Sequence, residues 1–188
     1  MTHDAETSTQ IDPFALLNLP RTFDLIPAQI QSAYLRLASA THPDLVRDPF
    51  ANAEAARNSA ALNHARQMLL NPESRANALH QLLGGPTKEQ NNALPAGFLM
   101  DIMEAREQLE SAQSTRDPAA LRQSESWANA ERERYISLVR EALADIQVNS
   151  SSPDRAGKLA GLRVQLNAWR YIERMIQQLD PDVDSLAL

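Results

Sequence analysis

Histidine and carboxylate side chains are the residues of this chain that could carry out chemistry. His42 and Asp44 stand two positions apart and could form a general base pair, and His64 and His80 could bind a metal ion. The sequence has no HExxH, GxxxxGK[ST] or GxGxxG pattern, and its acidic residues do not fall at a catalytic spacing. It also has no cysteine, which excludes a thiol nucleophile, disulfides and cysteine ligands. We therefore predict that the protein is not an enzyme and carries no cofactor or metal of its own.

Charge and composition argue against two further classes of function. The net charge of −6 disfavours sequence-independent binding to nucleic acid. No run of about 18 apolar residues exists, so no segment is expected to span a membrane. The N-terminus (MTHDAETSTQ) lacks the basic start and apolar stretch of a secretion signal, and we expect a cytoplasmic protein. Hydrophobic residues make up 43% of the chain, enough to bury a core, and the scarcity of glycine and aromatic residues favours helix.

The elements on both sides of His42 are predicted to be helices. Residues 27 to about 41 form an amphipathic helix, which ends by His42 because Pro43 disfavours helical dihedral angles in the preceding residue. A brief capped helix precedes it, and further helices follow at about 51–70 and 73–83. The apolar stripe of the first long helix has the spacing i, i+3, i+4, i+7 and i+8: Ile30, Ala33, Tyr34, Leu37 and Ala38.

The second half of the chain is predicted to be a bundle of three helices. They cover about 96–113, 118–148 and 153–179, the second capped by Asp117 and the third by Ser152. The core residues of the last helix keep a 3-4 spacing: Leu159, Leu162, Leu166, Trp169 and Ile176. On the first helix the core face consists of Phe98, Ile102, Ala105, Leu109 and Ala112. This pattern alone predicts a helical bundle without specifying its function.

The tripeptide His42-Pro43-Asp44 is, taken alone, also compatible with an ordinary helix end and turn. The tripeptide lies between two predicted helices, and two further stretches of sequence follow it in the same order as in the J-domain family. In this respect the first half of the chain resembles that family. Residues 62–65 (Leu-Asn-His-Ala) and Met68-Leu69 resemble the family's Ile-Asn-x-Ala-x-x-x-Leu stretch, and residues 71–76 (Asn-Pro-Glu-Ser-Arg-Ala) resemble its Asp-Pro-x-x-Arg-Ala. The resemblance implies an antiparallel helix pair whose loop contacts a DnaK-type chaperone through His42 and Asp44, with Pro43 fixing the loop shape.

The charge of the first half departs from the J-domain pattern. Helices that lead to this loop are usually rich in lysine and arginine in that family. Here Arg36 is the sole basic residue between positions 27 and 41, and Leu45 stands where a lysine commonly follows the aspartate. Electrostatic steering toward the chaperone should therefore be weak. Either the chaperone is specialised, or Arg36, Arg47 and Arg57 provide the positive charge.

The second half is similar to the HscB family, the co-chaperones of iron–sulfur cluster assembly. Phe98-Leu99-Met100, followed by Glu104, Arg106-Glu107 and Leu109, is similar to that family's Phe-Leu-Met-x-x-x-Glu-x-Arg-Glu-x-Leu signature. Ser59-Ala60 also matches the family, whereas most J-domains place a phenylalanine at the first of these positions. The chain departs from the family at Arg66, where tryptophan or tyrosine is expected, and at Ala78, where tyrosine is expected.

Several residues of the helix at 96–113 do not lie on its core face. They are predicted to bind a partner, because exposed methionine and leucine beside charges are typical of an interface. The family resemblance places the contact with an iron–sulfur scaffold protein on this helix. Burial of these side chains by a neighbouring helix is the alternative. Tyr171, on the last helix, likewise points away from the core stripe of that helix. The predicted scaffold-binding residues are Leu99, Met100, Met103, Glu104, Arg106, Glu107 and Tyr171.

These observations predict a two-domain co-chaperone. Residues 1–11 form a disordered tail, 12–84 the J-domain, 85–95 a linker, and 96–180 a bundle that binds the client. The resemblance implies that the bundle holds an IscU-like scaffold and that the J-domain delivers it to a DnaK- or HscA-type chaperone, whose ATPase it stimulates. Because the chain has no cysteine, any cluster must be held by the partner. A general J-domain co-chaperone with an unrelated client is the alternative.

Overall fold

The computed structural model describes residues 12–40 and 49–179, and all regular secondary structure in these residues is helical. The all-α prediction is therefore confirmed. The chain divides into two compact units, residues 1–78 and 79–188, and the predicted tail at 1–11 lies outside the described residues. The helices in chain order are α1 (Pro13–Leu16), α2 (Pro27–Ala40), α3 (Pro49–Leu70), α4 (Pro72–Leu82), α5 (Phe98–Thr115), α6 (Pro118–Val148) and α7 (Arg155–Leu179).

Proline and aspartate determine where several helices begin. Five of the helices named above start with proline, whose fixed φ suits the first helical turn and whose missing N–H costs nothing there. Asp12 caps α1 by accepting hydrogen bonds from two backbone N–H groups, and Asp117 caps α6 in the same way. Helix α7 begins at Arg155, two residues later than predicted. Its first hydrogen bond runs from the N–H of Lys158 to the carbonyl of Asp154, the residue just before the helix.

The first unit packs α1 and α2 against α3. Gln31, early in α2, accepts a hydrogen bond from Arg66, late in α3, so the two helices are antiparallel. Arg75 in α4 donates to the carbonyl of Leu69 at the end of α3 and lies over the ring of Phe23. A cation at this position satisfies a helix C-terminus. The largest fully buried side chains of this unit are Phe14, Leu17, Ile30 and Leu69.

Arg66 occupies the position where an aromatic residue was expected, and the structure shows how it packs. Its guanidinium lies 4.8 Å from the ring centroid of Tyr34, and its Nη1 donates to Gln31 at 3.1 Å. A planar cation stacked on an aromatic ring covers apolar surface much as a second ring would. Arg66 thus links α3 to α2 through a mixed stacking and hydrogen-bonding contact, and its charge is engaged within the unit.

The second unit is built on the long α6–α7 pair. Asp145 near the end of α6 pairs with Lys158 near the start of α7, and Arg132 in mid-α6 pairs with Glu173 late in α7, so the helices are antiparallel. Helix α5 packs on both of them. Its five predicted core residues, Phe98, Ile102, Ala105, Leu109 and Ala112, are all buried, as predicted from the helical spacing.

The buried face of α7 is wider than the predicted stripe. Leu159, Leu162, Leu166 and Trp169 are buried as expected. Ile176 is only half-buried, and Ile172 and Met175 take core positions in the last turns instead. The cause is that α7 contacts α5 as well as α6, so side chains on two adjacent sides of the helix are covered.

Residues 80–93 are held against α7 by side-chain hydrogen bonds. This stretch includes most of the predicted linker. Asn167 donates to the carbonyls of Asn91 and Ala93, at 3.0 and 2.9 Å. Arg155 donates to the carbonyl of Leu83 at 2.6 Å. Because backbone carbonyls that are partly covered need donors, these bonds let an irregular segment lie on the bundle.

His80, in α4, is a fully buried histidine. Its Nε2 lies 2.9 Å from the carbonyl oxygen of Leu159. A carbonyl can only accept, so Nε2 carries the hydrogen and Nδ1 is the bare nitrogen, which has no hydrogen-bond partner among the described residues. Burial lowers the pKa of His80 below its ordinary value of 6.5; the bond to Leu159 opposes this effect, and the positive charge of Arg163 adds to it.

The lowered pKa of His80 predicts a loss of stability in mild acid. Above pH 6.5 the imidazole is neutral in both the folded and the unfolded protein. Below pH 6.5 it takes up a proton in the unfolded chain but stays neutral in the folded protein, because its pKa is lower there. The free energy of unfolding should then fall by up to about 1.4 kcal/mol per pH unit from this group. Urea unfolding between pH 7.5 and 5 measures the slope. His80→Gln should flatten it. Equal slopes in wild type and His80→Gln would contradict this account.

Candidate partner-binding surfaces

The residues predicted to contact the chaperone fall mostly in one segment. His42, Pro43, Asp44 and Arg47 lie outside the described residues. The structure describes the helices on either side, α2 ending at Ala40 and α3 beginning at Pro49. Their chaperone-binding role stays a prediction.

Arg36 is exposed on α2 and is the only charged residue of that helix. Leu35 beside it is 55% exposed, although leucine is usually covered in a helix that packs on one side. Five positions separate Leu35 from the buried Ile30, which places the two about 140° apart around the helix. Sequence reasoning missed Leu35, although this angular offset could have revealed it. The outer face of α2 is thus small, weakly polar and nearly uncharged, with one exposed leucine and one arginine.

The outer face of α5 carries a group of exposed apolar side chains. Leu99, Met100 and Met103 are 54%, 77% and 63% exposed, so no neighbouring helix in the described chain buries them. Glu104 and Glu107 are exposed beside them, and Arg106 is half-buried. These six residues are called the α5 patch below. Apolar side chains with this exposure in a group are typical of an interaction surface.

Tyr171 differs from the exposed side chains of α5 in that a neighbouring helix partly covers it. It is half-buried on α7, and its ring meets the ring of Phe98 edge-on, with centroids 5.9 Å apart. Phe98 in turn meets Tyr135 edge-on at 6.2 Å. Burial by a neighbouring helix, the alternative considered for the patch, therefore applies in part to Tyr171. The contact places Tyr171 beside Phe98 in the first turn of α5. Leu99 and Met100 directly follow Phe98 in the sequence.

A polar network inside the bundle was not foreseen from the sequence. Glu173 is buried and accepts two hydrogen bonds from Arg132, at 2.8 and 2.5 Å, and one from the indole of Trp169, at 2.7 Å. The hydrogen bond to Glu173 raises the pKa of Arg132 further above its ordinary value, so the guanidinium stays charged. Satisfying both carboxylate oxygens makes burial of the charge tolerable. The network links α6 to α7, with Glu173 buried and Arg132 partly exposed.

The described part of the chain contains neither of two features, a cluster of potential metal ligands and a membrane-spanning helix. No cluster of three or more histidine or acidic side chains there could hold a metal ion. No helix among the same residues is long and apolar enough to cross a membrane. What the described residues offer is two surfaces, the outer face of α2 and the α5 patch, in different units.

Comparison with known proteins assigns both units. Residues 12–78 match the DnaJ domain, and residues 94–180 match the HSCB C-terminal oligomerisation domain. The co-chaperone protein HscB homolog of Bordetella pertussis is 31% identical over 175 residues, covering 89% of this chain and 94% of that protein. The chain belongs to the HscB family. The HscB homolog of Mannheimia succiniciproducens is similar too, 30% identical over 94% of this chain and 98% of its own length.

Solved HscB structures share the fold. Chaperone HscB from Vibrio cholerae matches 94% of this chain and 99% of its own, with a TM-score of 0.74 and 26% identity. The human co-chaperone protein HscB matches 96% of this chain and 85% of its own, with a TM-score of 0.76; its identity of 24% supports the fold alone. The chain is therefore a J-domain co-chaperone of the HscB family, and its relatives are named for a non-enzymatic role.

Proposed function

We propose that this co-chaperone acts in the cytoplasm by binding an IscU-like iron–sulfur scaffold protein on the α5 patch. It delivers the scaffold to a DnaK- or HscA-type chaperone, whose ATP hydrolysis the J-domain stimulates. The observation that carries the proposal is the group of three exposed apolar side chains on α5, Leu99, Met100 and Met103, on a helix whose opposite face is core. The J-domain and the patch belong to different units, so one chain has a separate surface for each partner.

Charge indicates what kind of scaffold surface fits the patch. Helix α5 carries four acidic residues, Asp101, Glu104, Glu107 and Glu110, against the single Arg106. The matching face of the scaffold should therefore combine apolar side chains, which cover the methionines, with basic ones that pair with the carboxylates. Co-chaperones of this kind need no chemistry of their own, since binding one chaperone state more tightly than another shifts its population.

Single-turnover ATP hydrolysis by a DnaK-type chaperone, with and without an IscU-like scaffold, tests the proposal. Wild type should stimulate hydrolysis, and the scaffold should stimulate it further. The triple substitution of Leu99, Met100 and Met103 by serine should remove the additional stimulation that the scaffold causes. It should leave unchanged the stimulation that is seen without the scaffold. Each buried apolar side chain is worth about 1–2 kcal/mol, so the loss of three should lower scaffold affinity by at least about a hundredfold.

Val148→Ser is the matched control, because Val148 is 82% exposed and belongs to the same unit but lies outside the patch. It should leave the scaffold's contribution unchanged. Stimulation that is indifferent to the scaffold would indicate a general J-domain co-chaperone with an unrelated client. No stimulation with any DnaK-type chaperone would overturn the proposal.

The nearly uncharged face of α2 predicts that stimulation depends weakly on salt. Arg36 is its only charge, and the charge of Arg66 is engaged with Tyr34. Between ~50 and ~200 mM salt, stimulation should change by less than about threefold, since few ion pairs are available to screen. Ser32→Lys and Ser39→Lys, at exposed positions of α2, should together increase stimulation at low salt and make it salt-dependent. A steep fall of wild-type stimulation with salt would contradict the prediction.

A further inference from the structure

The α5 patch contains two highly exposed thioethers. Met100 and Met103 are 77% and 63% exposed and stand three positions apart, on the same side of α5. Met175 is fully buried in the bundle core, and Met68 is half-buried in the first unit. The chain has no cysteine, so no thiol competes for a two-electron oxidant. Because oxidation of sulfur follows exposure, an oxidant should reach Met100 and Met103 first among the described methionines.

We propose that Met100 and Met103 are sites of reversible oxidation that switch off scaffold binding. The inference rests on the proposed function, since it describes regulation of the same patch. The oxidant is a peroxide. The methionine sulfur attacks one oxygen of hydrogen peroxide, so that an S–O bond forms and the O–O bond breaks. The sulfur loses two electrons and becomes a sulfoxide, while the departing hydroxide takes the remaining proton and leaves as water.

The neighbours of the two methionines make a sulfoxide unfavourable at a closed interface. A sulfoxide oxygen is a strong hydrogen-bond acceptor and needs a donor once water is excluded. Glu104, Glu107 and Glu110, on the same helix, are carboxylates that only accept, and their negative charge repels the oxygen; Arg106 is the single cation of the helix that could donate to it. Loss of two apolar contacts and burial of two added polar oxygens should weaken scaffold binding on the order of tenfold or more.

The fold should withstand this modification. Both side chains project from the face of α5 opposite its core residues, which are Phe98, Ile102, Ala105, Leu109 and Ala112. Oxidation there adds one polar atom to a solvated surface and disturbs no packing. Oxidation of Met175 would instead place a sulfoxide inside the core. The difference in exposure therefore separates a change in binding from a loss of structure.

The test uses the full-length protein treated with hydrogen peroxide for increasing times. Mass spectrometry of proteolytic peptides should show sulfoxide at Met100 and Met103 well before Met175. At the time when both are converted, titration with an IscU-like scaffold should show affinity reduced tenfold or more, with an unchanged far-UV circular dichroism spectrum. Treatment with methionine sulfoxide reductases for both epimers should restore the affinity.

The matched variant is Met100→Leu/Met103→Leu, which keeps an apolar patch without sulfur. Its scaffold affinity before treatment serves as its own reference, and that affinity should be unchanged after peroxide. Unchanged affinity of fully converted wild type would overturn the inference, as would equal sensitivity of the double leucine variant or equally rapid oxidation of Met175. If untreated wild type does not bind the scaffold, the proposed function itself fails and the inference falls with it, so the two failures are told apart before any peroxide is added.

Discussion

Replacing His42 with glutamine should reduce the stimulation of chaperone ATP hydrolysis to the chaperone's basal rate. The J-domain resemblance assigns His42 a polar contact with the chaperone. Glutamine keeps a neutral polar side chain of similar reach but loses the planar ring and its two nitrogens. A contact that favours one chaperone state depends on that geometry, because binding both states equally shifts nothing. Single-turnover hydrolysis with a DnaK-type chaperone measures the effect.

His64→Gln is the matched control for this experiment. It makes the same substitution in the same domain, at an exposed position on α3. It should stimulate hydrolysis like wild type. His42→Gln should also bind the scaffold with wild-type affinity, because the α5 patch belongs to the other unit. If His42→Gln stimulates hydrolysis as wild type does, the tripeptide is an ordinary turn and the assignment of the chaperone contact is wrong.

Helical spacing placed the residues of the α5 patch off the core face of the helix, but it left open whether a neighbouring helix buries them. The residues of α5 recur on fixed sides of a helix with 3.6 residues per turn, so naming the core face also names the face opposite it. All five predicted core residues are buried, and Leu99, Met100 and Met103 are exposed. Whether an IscU-like scaffold binds there stays a prediction, because exposure shows that a surface is available and not what covers it.

Contacts between helices could not be predicted from periodicity. Tyr171 was placed correctly off the main stripe of α7, yet it is half-buried because Phe98 of α5 meets its ring. Ile176 continued the regular spacing, yet Ile172 and Met175 are the buried residues of the last turns. A helical pattern gives the angle of a side chain around one axis. It does not say how many neighbours surround that axis, and α7 has two in the bundle.

The packing of Gly85 on His80 is another contact that spacing does not reveal, because the glycine reads in the sequence as an ordinary helix stop. Gly85 donates its N–H to the carbonyl of His80 at 2.9 Å, which brings its Cα against the imidazole. A Cβ added at Gly85 would lie 2.6 Å from Cδ2 of that ring and closer still to Nε2 and Cε1. The ring cannot turn aside freely, since it is fully buried and bonded to the carbonyl of Leu159.

Gly85→Ala should therefore destabilise the second unit by about 2–3 kcal/mol, the cost of forcing a methyl group into a filled core. Urea unfolding followed by tryptophan fluorescence measures this directly, because both tryptophans, Trp127 and Trp169, belong to that unit. Gly161→Ala is the control, and we expect it to change the free energy of unfolding in the opposite direction. A Cβ there meets open space within α7, so alanine should raise stability by about 0.5–1 kcal/mol through helix propensity.

The double variant Gly85→Ala/His80→Ala decides whether the clash is the cause. His80→Ala alone removes a buried ring and its bond to Leu159, so it is destabilising by itself. It also creates the space that the new methyl group needs. The double variant should then be destabilised by less than the sum of the two single variants, and the difference should exceed about 1 kcal/mol. Such a coupling is expected only of residues in contact. Additive effects would mean that the backbone at Gly85, and not the ring of His80, excludes a side chain there.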